Sequence, residues 1–130
     1  MVAETSRRWQ VFDVVGRPTS WGVTWAWIRE DLDSDSVERA RSQLCLLFLT
    51  DGCPHRLLVH LGADCFVDLR GLRLLLETAT EVRSGGGALA VVAPPRSLVR
   101  MAALFVLAEE LPMVDSVDHA VEWARARTGA

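Results

Sequence analysis

The chain has 130 residues, half of them hydrophobic and 24% charged, which is the size and balance of one globular domain able to bury a core without disulfides or metal. Its net charge of −3 speaks against nucleic-acid binding, which calls for a basic stripe. The longest apolar runs, residues 44–49 and 101–108, fall far short of the roughly 20 residues that cross a bilayer, so no membrane span is expected. Residues 1–8 are polar and charged and read as a flexible N-terminal segment, not a signal peptide. The cysteines, Cys45, Cys53 and Cys65, are odd in number and lack CxxC spacing, so a disulfide framework is not expected and a reducing cytoplasm suits the chain. All 14 basic residues are arginine and tyrosine is absent, a usage that points to a GC-rich bacterial genome.

A domain is expected over residues 9–127, with 128–130 as a flexible C-terminus. Residues 9–15 read as a short strand closed by the Gly16-Arg17-Pro18 turn. Residues 23–28 read as a second strand, with Val23, Trp25 and Trp27 on one face and Thr24, Ala26 and Ile28 on the other. Both faces are largely apolar, so this strand is expected to be covered on both sides. Asp31, Asp33, Ser34, Asp35 and Ser36 offer N-caps for a helix from Val37 to Phe48. After the Asp51-Gly52-Cys53-Pro54 loop, Arg56 to Leu61 is a third strand, and Phe66-Val67 is expected to end a strand before the N-cap Asp68. The helix that follows, Arg70 to Arg83, carries Leu72, Leu75, Leu76, Ala79 and Val82 on one face. Ser84 and three glycines end it, and Ala88 to Ala93 is a fourth strand. Pro94-Pro95 opens a helix to about Glu109, Leu111 to Val114 is a last short strand, and Asp115 or Ser116 caps a final helix with Val117, Ala120, Val121 and Ala124 inward. The order β-β-α-β-α-β-α-β-α implies an α/β fold: a mixed sheet of about five strands flanked by four helices, parallel where helices cross over.

With these elements in place the chain resembles the STAS family of anti-sigma-factor antagonists over nearly its whole length. Arg29-Glu30-Asp31-Leu32-Asp33 stands where that family has a Gly-Glu-Ile/Leu-Asp turn. Leu57-Leu58-Val59-His60-Leu61 followed by Cys65-Phe66-Val67-Asp68-Leu69-Arg70-Gly71-Leu72 resembles its central signature, an apolar strand ending in Asp-Ser-Ser-Gly-Leu. Ser84-Gly85-Gly86-Gly87, Pro94-Pro95 and Leu111-Pro112-Met113-Val114-Asp115-Ser116 resemble its later turns and closing elements. The resemblance implies a regulatory module that binds an anti-sigma factor or kinase-like protein. It also places Leu69 at the position of the family's phosphorylated serine, where leucine offers no hydroxyl. His60 stands where many members carry aspartate, and Val106 where many have glycine.

The expected partner-binding residues are Asp68, Leu69, Arg70, Gly71, Arg73, Leu74 and Glu77. Leu74 falls on the wheel with Arg70, Glu77, Thr78 and Glu81, away from the core leucines, and is expected to be a contact anchor. Asp68 also serves as an ordinary N-cap. Trp21, Trp25 and Trp27 read mainly as packing residues, with a homodimer or scaffold surface as the alternative role. Cys45 and Cys65 are expected to be buried, which leaves Cys53, near His55, as the thiol placed for redox chemistry. No metal-ligand spacing, phosphate loop or nucleophile–base set occurs, so no cofactor and no catalysis are expected. Two other readings stay open beside the antagonist: a structural subunit of a signalling assembly, and a nucleotide or small-molecule sensor with its pocket at the strand ends near Asp68.

Overall fold

A computed structural model of the chain describes residues 12–15, 23–51, 55–62 and 64–128. The turn at Gly16-Arg17-Pro18, Trp21, and Cys53 with its expected redox role lie outside the described residues. Five strands form one sheet in sequence order: β1 (Phe12–Val15), β2 (Val23–Ile28), β3 (Arg56–Leu61), β4 (Ala88–Val92) and β5 (Met113–Val114). β1 runs antiparallel to β2, and β2 to β5 are parallel, with Trp27 opposite His60 and Leu57 opposite Leu89. Four helices are described: α1 (Val37–Asp51), α2 (Leu69–Ser84), α3 (Arg96–Leu104) and α4 (Val117–Thr128).

Each parallel pair needs a crossover, and right-handed crossovers taken in strand order place α1, α2 and α3 on one face. The main core lies there. Ala26, Ile28, Leu57, Val59, Leu61, Leu89 and Val91 meet Ala40 and Leu44 of α1, Leu72, Leu75 and Ala79 of α2, and Leu98 of α3. On the opposite face α4 presses Ala120 and Ala124 against Leu58, Ala90 and Val92. β3 and β4 are therefore covered on both sides, which accounts for their near-continuous apolar runs, interrupted between Leu57 and Leu61 by His60.

Several boundaries differ from the sequence pattern. α3 stops at Leu104 rather than near Glu109, because Phe105 caps it and Val106 turns left-handed at φ 54°. Pro95 stands at the N-cap of α3, so Arg96, not proline, begins the helix. Phe66-Val67 forms no strand; Val67 makes one isolated parallel bridge to Leu32. Val117 is exposed at the start of α4 instead of facing inward, since Ala120 and Ala124, with Trp123 packed beside them, are the residues that turn to the sheet.

Candidate functional site

The platform at the start of α2 is built by pinning the segment 66–68 from three directions. Leu32 N–H donates to Phe66 O at 2.8 Å and Asp68 N–H donates to Leu32 O at 3.1 Å, which zips the loop after β2 to this segment. Phe66 N–H donates to Asp31 Oδ1 at 2.8 Å, and Val67 N–H donates to Ser97 Oγ on α3 at 3.0 Å. Asp68 then caps α2: its Oδ1 accepts from Arg70 N–H at 2.9 Å and Gly71 N–H at 3.1 Å, satisfying two of the helix's orphan donors. Asp33 does the equivalent for the turn into α1, accepting from the Asp35 and Ser36 N–H groups through Oδ1.

Leu69, Arg70 and Arg73 are exposed around Asp68. Leu69 and Phe66 are each 54% exposed, so two large apolar side chains flank the capped aspartate. Phe66 is a surface residue that the sequence reading spent on a strand. The only hint of its role is its place directly before Val67-Asp68. Glu77 is exposed but engaged, because it pairs with Arg41 of α1, which raises the guanidinium's pKa.

Two expected contact residues are corrected. Leu74 is 2% exposed and belongs to the main core, so it cannot anchor a partner. It lies on the α2 flank that faces α1, and that flank is covered, not solvated. Gly71 is also buried: a Cβ there would come within 2.6 Å of Leu32 Cβ and O, so its role is close approach, not contact. Leu76, expected in the core, is half-buried at its edge.

A second feature opens at the carboxyl ends of β2 and β3, a cavity of about 400 Å³ lined in part by Trp27, Arg29, Asp31, His60, Asp64 and Cys65. The Trp27 and His60 rings lie 4.0 Å apart, Trp25 stacks along the strand at 6.2 Å, and the Arg29 guanidinium is 5.9 Å from the Trp27 ring centre. Burial, with Arg29 adding to it, pushes the His60 pKa down, so its imidazole is neutral near pH 7. Trp25 and Trp27 are half-buried in this stack. Cys65 is buried with its thiol 3.7 Å from Ile28 O, and burial pushes its pKa up, so it is a structural thiol. Cys45, expected to be buried, is exposed on α1 because only the Ala40–Leu44–Leu47 stripe faces the core. Among the described residues no group of three or more His, Cys, Asp or Glu could hold a metal, and no helix is long and apolar enough to cross a membrane.

This arrangement of a mixed sheet, three helices on one face and a capped Asp68 at the head of α2 defines an α/β domain of STAS type. The STAS domain family model matches residues 22–120, and the chain belongs to the STAS family. Solved structures of similar fold include one from Thermotoga maritima assigned as an anti-sigma factor antagonist, 18% identical, covering 92% of this chain and 98% of that one, with a TM-score of 0.76. An anti-sigma factor antagonist from Mycobacterium paratuberculosis is 20% identical over 88% of this chain and 94% of its own, with a TM-score of 0.72. Unphosphorylated SpoIIAA, also an anti-sigma factor antagonist, is 18% identical over 88% and 97%, with a TM-score of 0.62. No curated protein matches the chain by sequence.

Proposed function

We propose that the chain is a non-catalytic regulatory module of the bacterial cytoplasm that binds an anti-sigma factor or a kinase-like regulator through the platform around Asp68, without a phosphate switch at position 69. The observation that carries this reading is the half-exposed, apolar Leu69 at the first position of α2, beside the Asp68 cap. In the resemblance drawn above, that position belongs to the phosphorylated serine. A phosphate there would meet the free N–H groups and positive pole of the helix while adding charge and bulk to the binding surface. Leucine leaves the surface apolar and permanently in its unmodified state. Asp68, Leu69, Arg70 and Arg73 are the contact residues of this reading, joined by Phe66. Glu77 contributes from the rim, where Arg41 holds it.

The test mixes the chain with a kinase-type anti-sigma protein encoded in the same genome, with and without ATP. Calorimetry should give equal affinity in both cases, and intact-mass analysis should find no added phosphate. Leu69→Ser should accept phosphate and lose affinity when ATP is present. Thr78 is a poor substitute because it is buried with its hydroxyl donating to Leu74 O, and Thr80 is held by Leu76 O in the same way. Stoichiometric phosphate on either threonine, or no complex with any such regulator, would overturn the reading.

The cavity beside Trp27 and His60 favours a second reading, a sensor of a nucleotide or other small molecule, because open parallel sheets bind ligands outside the carboxyl ends of their strands. A thermal-shift panel tests it, since a ligand that binds only the folded chain raises the melting temperature by mass action.

A further inference from the structure

The far end of α3 carries a feature that the Asp68 platform does not use. Leu98 and Ala102 face the core, while Arg96, Val99, Arg100, Ala103 and Leu104 are exposed. Past the helix, Phe105 is exposed and Val106 is 81% exposed at φ 54°. A β-branched residue in the left-handed region is strained, and a side chain so exposed packs little within its own chain. That φ belongs to the Schellman-type closure of α3, in which Leu107 N–H donates to Ala102 O at 2.9 Å, and it leaves the Val106 side chain at the surface beside Phe105.

Next to these protruding side chains is an apolar cavity of about 470 Å³, lined in part by Ala102, Leu107, Leu111, Pro112 and Met113. One small tip therefore carries both a projection, Leu104-Phe105, and a hollow. Charges of both signs frame it, Arg96 and Arg100 on the helix and Glu109 and Glu110 beyond the hollow, all exposed. None of these four side chains takes part in an ion pair among the described residues.

We infer that this tip is the contact surface of a homodimer. A two-fold axis requires one patch to complement itself, so that residue i meets j and j meets i. Two copies of α3 laid antiparallel about Ala103 bring the Phe105 and Leu104 of each to the hollow of the other. The same alignment turns Arg96 and Arg100 of each copy toward Glu109 and Glu110 of the other. A partner rimmed by one sign of charge would oppose half of this rim with like charge, which favours a second copy over it. The patch is small, so the dimer is weak and reversible, toward or below the lower end of specific interfaces at about 1,200 Å². α3 begins against Val67 through Ser97 and carries its tip about 12 Å away along its axis, so the dimer leaves the Asp68 platform open. The inference is independent of the proposed function.

Sedimentation equilibrium of the full chain from the micromolar to the millimolar range tests it. The expected result is a reversible monomer–dimer equilibrium that Phe105→Asp weakens at least about tenfold, as loss of a central aromatic contact does. Far-UV circular dichroism and thermal melts confirm that this exposed-site variant is folded. Arg100→Glu and Glu109→Arg should each weaken self-association, and an equimolar mixture of the two should associate more tightly than either alone, because the mixed pair restores both opposed charges. A chain that stays monomeric at millimolar concentration, or a dimer indifferent to Phe105→Asp and to the charge exchange, would overturn the inference.

Discussion

A Cβ on Gly71 would lie 2.6 Å from both Cβ and O of Leu32, whose backbone also zips to Phe66 and Asp68. Backbone atoms cannot yield by a rotamer change, so Gly71→Ala must push α2 away from the loop after β2. We expect it to lower the urea-derived stability by roughly 1–3 kcal/mol, the range for overpacking, and to weaken partner binding at the same platform. Asp68→Ala removes the cap from Arg70 and Gly71 N–H and should cost about 1 kcal/mol in the same measurement. Val106 behaves in the opposite way. Its left-handed φ of 54° suits glycine, and its exposed side chain contributes little burial within the chain, so Val106→Gly should raise stability by about 1 kcal/mol. A urea midpoint unchanged or lower for Val106→Gly would show that the strain is not released by losing the side chain.

In α2 the helical pattern located Leu72, Leu75, Ala79 and Val82 correctly, because those four face the sheet and share one stripe. The same wheel misread Leu74, and the reason is lateral. α2 has α1 on one flank and α3 on the other, and Arg41 of α1 reaches across to Glu77, so the buried arc extends past the sheet-facing stripe to Leu74 and Thr78. A hydrophobic periodicity reports apolar spacing along one helix and carries no information on how many neighbours the helix will have. Phe66 was misread for a related reason. An apolar triplet before an N-cap looks like a strand, and only the long-range zip to Leu32 shows that it is an irregular segment with its ring at the surface. These placements separate two leucines five residues apart. Leu74→Ala should cost roughly 2–5 kcal/mol by urea denaturation, whereas Leu69→Asp should stay within about 0.5 kcal/mol of the original while abolishing the apolar contact with the partner. Equal stability losses for the two would mean that α2 is rotated from the orientation described.

Across the whole molecule, element order and sheet type were legible because β3 and β4 are apolar on both faces and alternate with helices. The unequal cover of the two faces was not, since nothing local in residues 117–128 reveals that α4 will cover β3 and β4 through Ala120, Ala124 and the half-buried Trp123. That inequality leaves His60, on the α4 face, beside Trp27 and Arg29 with Asp31, Asp64 and Cys65 lining the same cavity. Its Nδ1 and the Trp27 Nε1 are buried without a hydrogen-bond partner among the described residues. Burial and the neighbouring guanidinium hold the folded pKa below the ordinary 6.5, so in the interval between the two values the unfolded chain binds more protons than the folded one. Stability therefore rises with pH through that interval and is lost as the solution is acidified through it. His119 has the opposite sign: its hydrogen bond to Asp115 raises its pKa, giving stability present below 6.5 and lost as pH climbs past the raised value. Both partners of that pair are fully exposed, so solvent screening leaves it a minor contributor, and the acid limb belongs to His60. Urea midpoints measured from about pH 7 down to about pH 5 should fall for the original chain and fall less for His60→Leu, which has no imidazole to protonate. His60→Leu also removes a buried nitrogen that lacks a partner, so at neutral pH it should be at least as stable as the original. Parallel acid slopes for the two proteins would remove His60 as the source and return the acid sensitivity to the carboxylates.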